Sequence, residues 1–195
     1  LKNEKVRNIQ TEVLSDNWYT LTKVDFEYKK ANGTWEKQIR EAYDRGNGAA
    51  ILLYNKKKGT VILTKQFRMP TYLNGNKDGM MIEVCAGVLD GDSPEVCIKK
   101  EAEEETGYRL EQVEKVFESY MSPGSVTEIL HYFIGAYDEH MKVGEGGGAK
   151  NETENIEVME VSFKEALKMV ATGEIKDAKT ILLLQYAQIN SLCDS

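Results

Sequence analysis

This 195-residue chain has no excess of positive charge: 25 Lys and Arg stand against 32 Asp and Glu, for a net charge of −7. Broad electrostatic capture of nucleic acid needs basic surface to displace phosphate counterions, so that class of function is excluded. An anionic substrate would have to be met locally, by a few placed cations. Cysteine is scarce. Cys85, Cys97 and Cys193 are odd in number and lack metal-ligand spacing, which reads as buried or incidental thiols of a reducing compartment. The two histidines, His131 and His140, are not at ligand spacing either, and structural roles are expected for both. No apolar run approaches 18 residues and no charged-then-apolar leader is present, so neither a membrane span nor secretion is expected, and the expected location is the cytoplasm. Internal repeats are also missing, and the length suits one domain with a small appended element.

What is there is a regular succession of strand and helix signals. Strand-like runs at 19–29 and 35–43 flank Asn32-Gly33, a strong hairpin signal. A second hairpin is expected from 49–54 and 61–68 around Lys56-Lys57-Lys58-Gly59, followed by an apolar strand-length run at 80–85. Further strands are expected at 113–121, 128–137 and 156–161, with Ser122-Pro123-Gly124 as a turn. Ser162 and Glu165 form a capping-box pattern before a helix stopped at Gly173, and 179–192 reads as a last helix. The acidic, glycine-rich segment 138–155 is long for a loop and is expected to be mobile unless a ligand orders it.

Ala86 to Tyr108 carries the chemistry. Ser93-Pro94 signals a helix start and Gly107 its end. On that helix Glu101, Glu104 and Glu105 fall within an arc of roughly 100°, while Glu103 points to the opposite side. Three converging carboxylates repel one another unless a cation compensates them, and oxygen-only ligands favour Mg²⁺, with Mn²⁺ as the alternative. A solvated acidic helix face is the competing explanation of the same run.

Strand, glycine loop and carboxylate helix together resemble the Nudix box. Gly87 opens it, and Lys100-Glu101-Ala102-Glu103-Glu104-Glu105-Thr106-Gly107-Tyr108 closes it. Lysine stands at position 100 where the family has arginine, Ser93 stands in the place of the upstream glutamate, and the interval is one residue short. The resemblance extends to Ser15-Asp16-Asn17-Trp18, residues 43–55, Gln66-Phe67-Arg68, 122–128 and 173–186, and is nearest to the branch of the family that hydrolyses GDP-mannose. It implies an α/β/α sandwich around a mixed β-sheet (residues 46–195) with an N-terminal β-hairpin extension (residues 1–45) lying across the partner subunit of a homodimer. It also implies Mg²⁺-dependent hydrolysis of a nucleotide sugar, GDP-mannose before ADP-ribose. A nucleotide-binding module that has lost catalysis is the rival of another class.

The implied metal ligands are Glu101, Glu104, Glu105, the Ala86 carbonyl and Glu154. Glu154 is the implied general base, with Glu152 its rival. Arg68, Glu128 and Lys179 are the implied phosphate and sugar contacts, Ala86, Gly87 and Val88 the substrate-lining loop. Arg40 and Glu41 are implied to contact the base and Trp18 to stack on it, although hairpin core is as good a reading of Trp18.

Overall fold

The computed structural model describes residues 4–148 and 155–193. Contacts divide the chain into two compact units, Leu1–Asn47 with Ser119–Leu130, and Gly48–Glu118 with His131–Ser195.

The larger unit is built on a seven-stranded sheet. Its central strand β4 (Gly48–Asn55) follows three N-terminal strands described below, and seven of its eight residues are buried. Such a near-continuous apolar run marks a strand covered on both faces. β5 (Thr60–Phe67) pairs with β4, and β6 (Met80–Glu83) and β7 (Cys85–Val88) pair with β5 and β4 in turn. β8 (Glu114–Tyr120), β9 (Ile129–Ala136) and β10 (Glu157–Ser162) complete the order β10-β5-β4-β9-β8. A short helix α1 (Met69–Leu73) follows β5. The long box helix α2 (Pro94–Thr106) packs Cys97, Ile98 and Ala102 against Ala49, Ile51 and Leu53 of β4. Side chains alternate along a strand, so Ala50 and Leu52 face the other way, where α4 (Ala178–Ile189) packs on β4 beside α3 (Phe163–Thr172). The sheet is thus sandwiched between helices, as the resemblance implied.

Local signals set the ends of these helices. Ser93 Oγ accepts from the Val96 N–H at the start of α2, and Gly107 closes it in the left-handed region at φ 79°. Ser162 and Asp177 cap α3 and α4 in the same way. The run at 80–85 is two strands rather than one. The chain breaks step at Val84, whose N–H turns to the Thr180 hydroxyl at 2.7 Å.

In the smaller unit, β1 (Val6–Asp16), β2 (Thr20–Lys29) and β3 (Trp35–Asp44) form a three-stranded antiparallel sheet, one strand more than the expected hairpin. No residue from 4 to 47 is buried. Its order comes from the ladder and from surface pairs such as Arg7 with Glu27 at 2.8 Å and the Arg7 guanidinium 3.9 Å over the Trp35 ring.

Candidate active site

Helix geometry decides which carboxylates reach the sheet. At 100° per residue, Ile98, Ala102 and Glu105 share the buried face of α2, Glu101 stands at its margin, and Glu104 lies roughly 100° from Glu105 on the solvent side. Glu105 is 2% exposed, and its Oε2 accepts from the Ala86 N–H at 3.3 Å. Glu101 lies against Gly87 so closely that a Cβ there would sit 2.0 Å from its Oε1. Glycine at 87 therefore leaves the room that the carboxylate fills. Two of the three expected carboxylates thus meet consecutive residues of β7. The third does not join them: Glu104 is exposed, and among the described residues no three acidic, histidine or cysteine side chains form a metal-holding group. The reason is the rotation of the helix, which places 101 and 105, one turn apart, toward β7 and turns 104 away.

The flanking thiols are buried behind this pair. Burial first, and then the neighbouring Glu105, raises the Cys85 thiol well above the ordinary range. Cys97 is pushed up to about 11, again by burial and then by Glu101, and donates to the Val88 carbonyl at 3.3 Å. Both are inert, as the composition suggested. Lys100 also has an acidic partner. Asp92, one residue before Ser93, holds its ammonium at 2.5 Å on the exposed side of α2, while Ser93 serves as the helix cap.

Arg68 and Lys179 converge on a residue that the sequence reading passed over. Glu83, at the end of β6 and 3% exposed, accepts from Arg68 Nε at 2.8 Å and Nη2 at 3.0 Å, and from Lys179 Nζ at 2.5 Å. Burial alone would raise the Glu83 carboxyl. The Arg68 hydrogen bonds and the Lys179 charge outweigh it and hold the group down at about 2. Burial likewise works against the charge on Arg68 and Lys179, and Glu83 reverses it for both. A lone carboxylate inside the apolar run Met80-Met81-Ile82-Glu83-Val84-Cys85 was the available signal, since an acid is rarely buried unless paired.

The remaining expected residues lie in the smaller unit. Trp18, at the β1–β2 turn, is 85% exposed, which removes the hairpin-core reading. Its ring meets Tyr19 edge-on at 6.4 Å. Arg40 and Glu41, on β3, line a cavity of about 590 Å³ with Pro123 and Ser125. Arg40 donates to the Ile39 carbonyl and the Gln38 side chain, both on its own strand. Glu128 is buried, 3.7 Å from Arg45 Nε.

Glu152 and Glu154 lie outside the described residues. The preceding part of their segment is hydrogen-bonded to the end of α2. The N–H groups of Gly147 and Gly148 donate to the carbonyls of Glu105 and Glu104, at 2.9 and 3.1 Å, so the loop caps the free end of α2. A Cβ on Gly146 would come within 2.4 Å of the Glu105 carbonyl. The glycines serve close backbone approach.

Known proteins resemble the chain along nearly its whole length. Residues 44–184 match the NUDIX domain, and residues 5–43 match the domain described as the GDP-mannose pyrophosphatase NudK N-terminal domain. The chain is 58% identical to a GDP-mannose pyrophosphatase of Yersinia enterocolitica over 96% of its own length and 97% of the relative's. It is 58% identical to one from Pectobacterium atrosepticum over 93% of each. A solved structure titled as an ADP compounds hydrolase superposes with a TM-score of 0.70 at 16% identity, covering 97% of both chains, which is a likeness of fold. With a NUDIX match over most of its length and relatives this similar along nearly all of it, the chain belongs to the Nudix hydrolase family.

Proposed function

We propose that the protein is a homodimeric, Mg²⁺-dependent nucleotide-sugar pyrophosphatase that hydrolyses GDP-mannose to GMP and mannose 1-phosphate. The observation that carries this reading is the pair Glu101 and Glu105 set against Gly87 and Ala86 of β7, in a chain 58% identical to proteins named for that activity. The donor set fits a hard cation: two carboxylates and the Ala86 carbonyl are all oxygen, and Glu104, on the solvent side, would reach the ion through water. Mn²⁺ is the alternative. When bound there, the ion neutralises diphosphate charge and makes a water more acidic. Arg68 and Lys179 hold the phosphates by charge-assisted hydrogen bonds. Glu154 takes the proton of the attacking water as its oxygen bonds to phosphorus and the bridging P–O bond breaks; Glu152 is the rival for that role. Trp18 stacks on the base, Arg40 and Glu41 read its edge, and Glu128 contacts the sugar.

Dimer formation is supported by the smaller unit. A sheet with Ile9, Val13 and Ile39 each more than half exposed gains by burying them against a second copy. ADP-ribose pyrophosphatase is the second reading, favoured by Pro123 downstream of the box, where members acting on such sugars often carry proline. A silent binding module has little need for two carboxylates against β7.

The test is a screen of purified protein with Mg²⁺ against GDP-mannose, ADP-ribose, GDP-glucose and diadenosine polyphosphates, scored by nucleotide product. GMP release from GDP-mannose as the fastest reaction is expected; faster AMP release from ADP-ribose would overturn the substrate. Glu154→Gln should lower turnover by about 10² to 10⁴, far more than it changes substrate affinity. A severe Glu152→Gln effect beside a mild Glu154→Gln effect would move the base to Glu152.

A further inference from the structure

We infer that Glu83 is the positioning residue of the phosphate-binding cations: it clamps one edge of Arg68 and draws in Lys179, so that both meet a diphosphate already aimed. The inference rests on the proposal that Arg68 and Lys179 hold the substrate's phosphates.

The arrangement has a buried back and an open front. Glu83 has only 4% of its side chain accessible, whereas Arg68 has 40%. Arg68 spends Nε and Nη2 on Glu83, and its Nη1 has no hydrogen-bond partner among the described residues. One edge of the guanidinium is therefore fixed and the other offers donors. Lys179 Nζ donates to Glu83 and to Asp177 Oδ1 at 3.1 Å, two of its three N–H bonds.

Glu83 is itself held from several sides. Its backbone pairs with Thr64 of β5, whose hydroxyl donates to the Glu83 carbonyl at 3.3 Å. The next residue, Val84, donates to the Thr180 hydroxyl, which in turn donates to Asp177 at 2.6 Å. Asp177 caps α4 by accepting from the Thr180 N–H at 3.0 Å. The ends of β5, β6 and α4 thus meet at one carboxylate, with two formal positive charges against the two negative charges of Glu83 and Asp177. Adding a phosphate to this set adds an anion where open donors remain.

Released from Glu83, the Arg68 guanidinium would lose both hydrogen bonds that fix its edge. Loss of Glu83 should therefore weaken phosphate binding.

The experiment compares the full-length protein with Glu83→Gln, Arg68→Met and the double variant. Titration calorimetry with inorganic pyrophosphate is run beside GDP-mannose kinetics with Mg²⁺, and thermal melts accompany each. Hydrogen bonds to charged groups of this kind predict pyrophosphate binding about tenfold to a hundredfold weaker in Glu83→Gln. KM should rise more than kcat falls. In the Arg68→Met background the same change should cost much less. Costs within about twofold of each other in the two backgrounds would mean independent effects and would overturn the inference. So would unchanged or tighter pyrophosphate binding, the latter marking Glu83 as a competitor for the cations.

If Glu83→Gln does not fold, the comparison moves to Lys179→Met with and without Glu83→Gln, where one cation leaves with the anion. Weaker pyrophosphate binding in the double variant supports the inference, and equal binding overturns it. A wild-type protein that binds pyrophosphate but releases no nucleotide from any compound in the screen sinks the proposed activity, while the titrations still decide Glu83. Failure to bind pyrophosphate at all sinks both.

Discussion

The larger unit and the β1–β3 sheet hold polar chemistry in opposite ways. In the larger unit, Glu83 and Glu105 are taken out of water and each is given donors, so their positions are set by the same packing that sets β4 and α2. On the β1–β3 sheet, Arg40 and Trp18 stand with no buried residue between 4 and 47, and among the described residues the Arg40 side chain is hydrogen-bonded only by its own strand. Buried charge is costly to build and costly to disturb, whereas exposed charge is neither. The difference teaches that the chemistry should be rigidly specified in the larger unit and that the β1–β3 sheet needs a further surface to fix Arg40 and Trp18.

The sharpest test replaces Glu101 or Glu105 by Gln. Turnover should fall at least about a hundredfold, from the loss of roughly 2.7–4 kcal/mol of transition-state stabilisation, with little change in melting. Near-normal rates for both variants at low millimolar Mg²⁺ would break the contrast, because the carboxylates set against β7 would then be structural only. Gly87→Ala asks the same question through packing. Its Cβ would occupy the place of Glu101 Oε1, so the carboxylate must move, at a cost of about 1–3 kcal/mol read as lost activity or lost melting temperature. Wild-type values in both would show that the approach at 87 does not hold Glu101.

Acid titration separates the units next. Glu83 is held at about 2 against an ordinary 4.5, so its stabilisation is present above 4.5 and is lost as the pH falls toward 2. A circular-dichroism melt series across that window should show a decline that Glu83→Gln flattens; an identical decline in the variant would place the acid sensitivity elsewhere. The smallest effect on folding is expected from Val13→Lys with Ile39→Lys. On exposed sites these should change stability by no more than about 0.5 kcal/mol, yet sedimentation should show the dimer weakened. An intact dimer would shift the interface to another surface.

Legibility in the sequence followed the same divide. The long helices of the larger unit were readable because each has a buried face and bounding residues: Ser93, Gly107, Ser162 and Gly173 stand where the signals put them, whereas the short α1, which buries nothing and has no side-chain cap, was not. β1 was not, since Val6–Asp16 buries nothing and shows no alternation, and its ladder slips near Asn8, which sits at φ 53°. The carboxylate helix could be phased from residue spacing alone, but which of its faces met the sheet could not, and Glu104 was counted with the others for that reason. Glu83 escaped because nothing in a linear reading says that residues 68, 83 and 179 share a corner. The pairing is made by the β5–β6 ladder and the α4 cap, which only the fold brings together.

The cap on α2 has a practical side. Amides in a glycine-rich loop ordinarily exchange with solvent quickly, but those of Gly147 and Gly148 are bonded to the carbonyls of Glu105 and Glu104. Protein labelled with ¹⁵N-glycine would therefore carry two slow-exchanging reporters seated on the backbone of the carboxylate helix. A ligand that shifts α2 by a fraction of an ångström would be visible at those two amides before any product is formed.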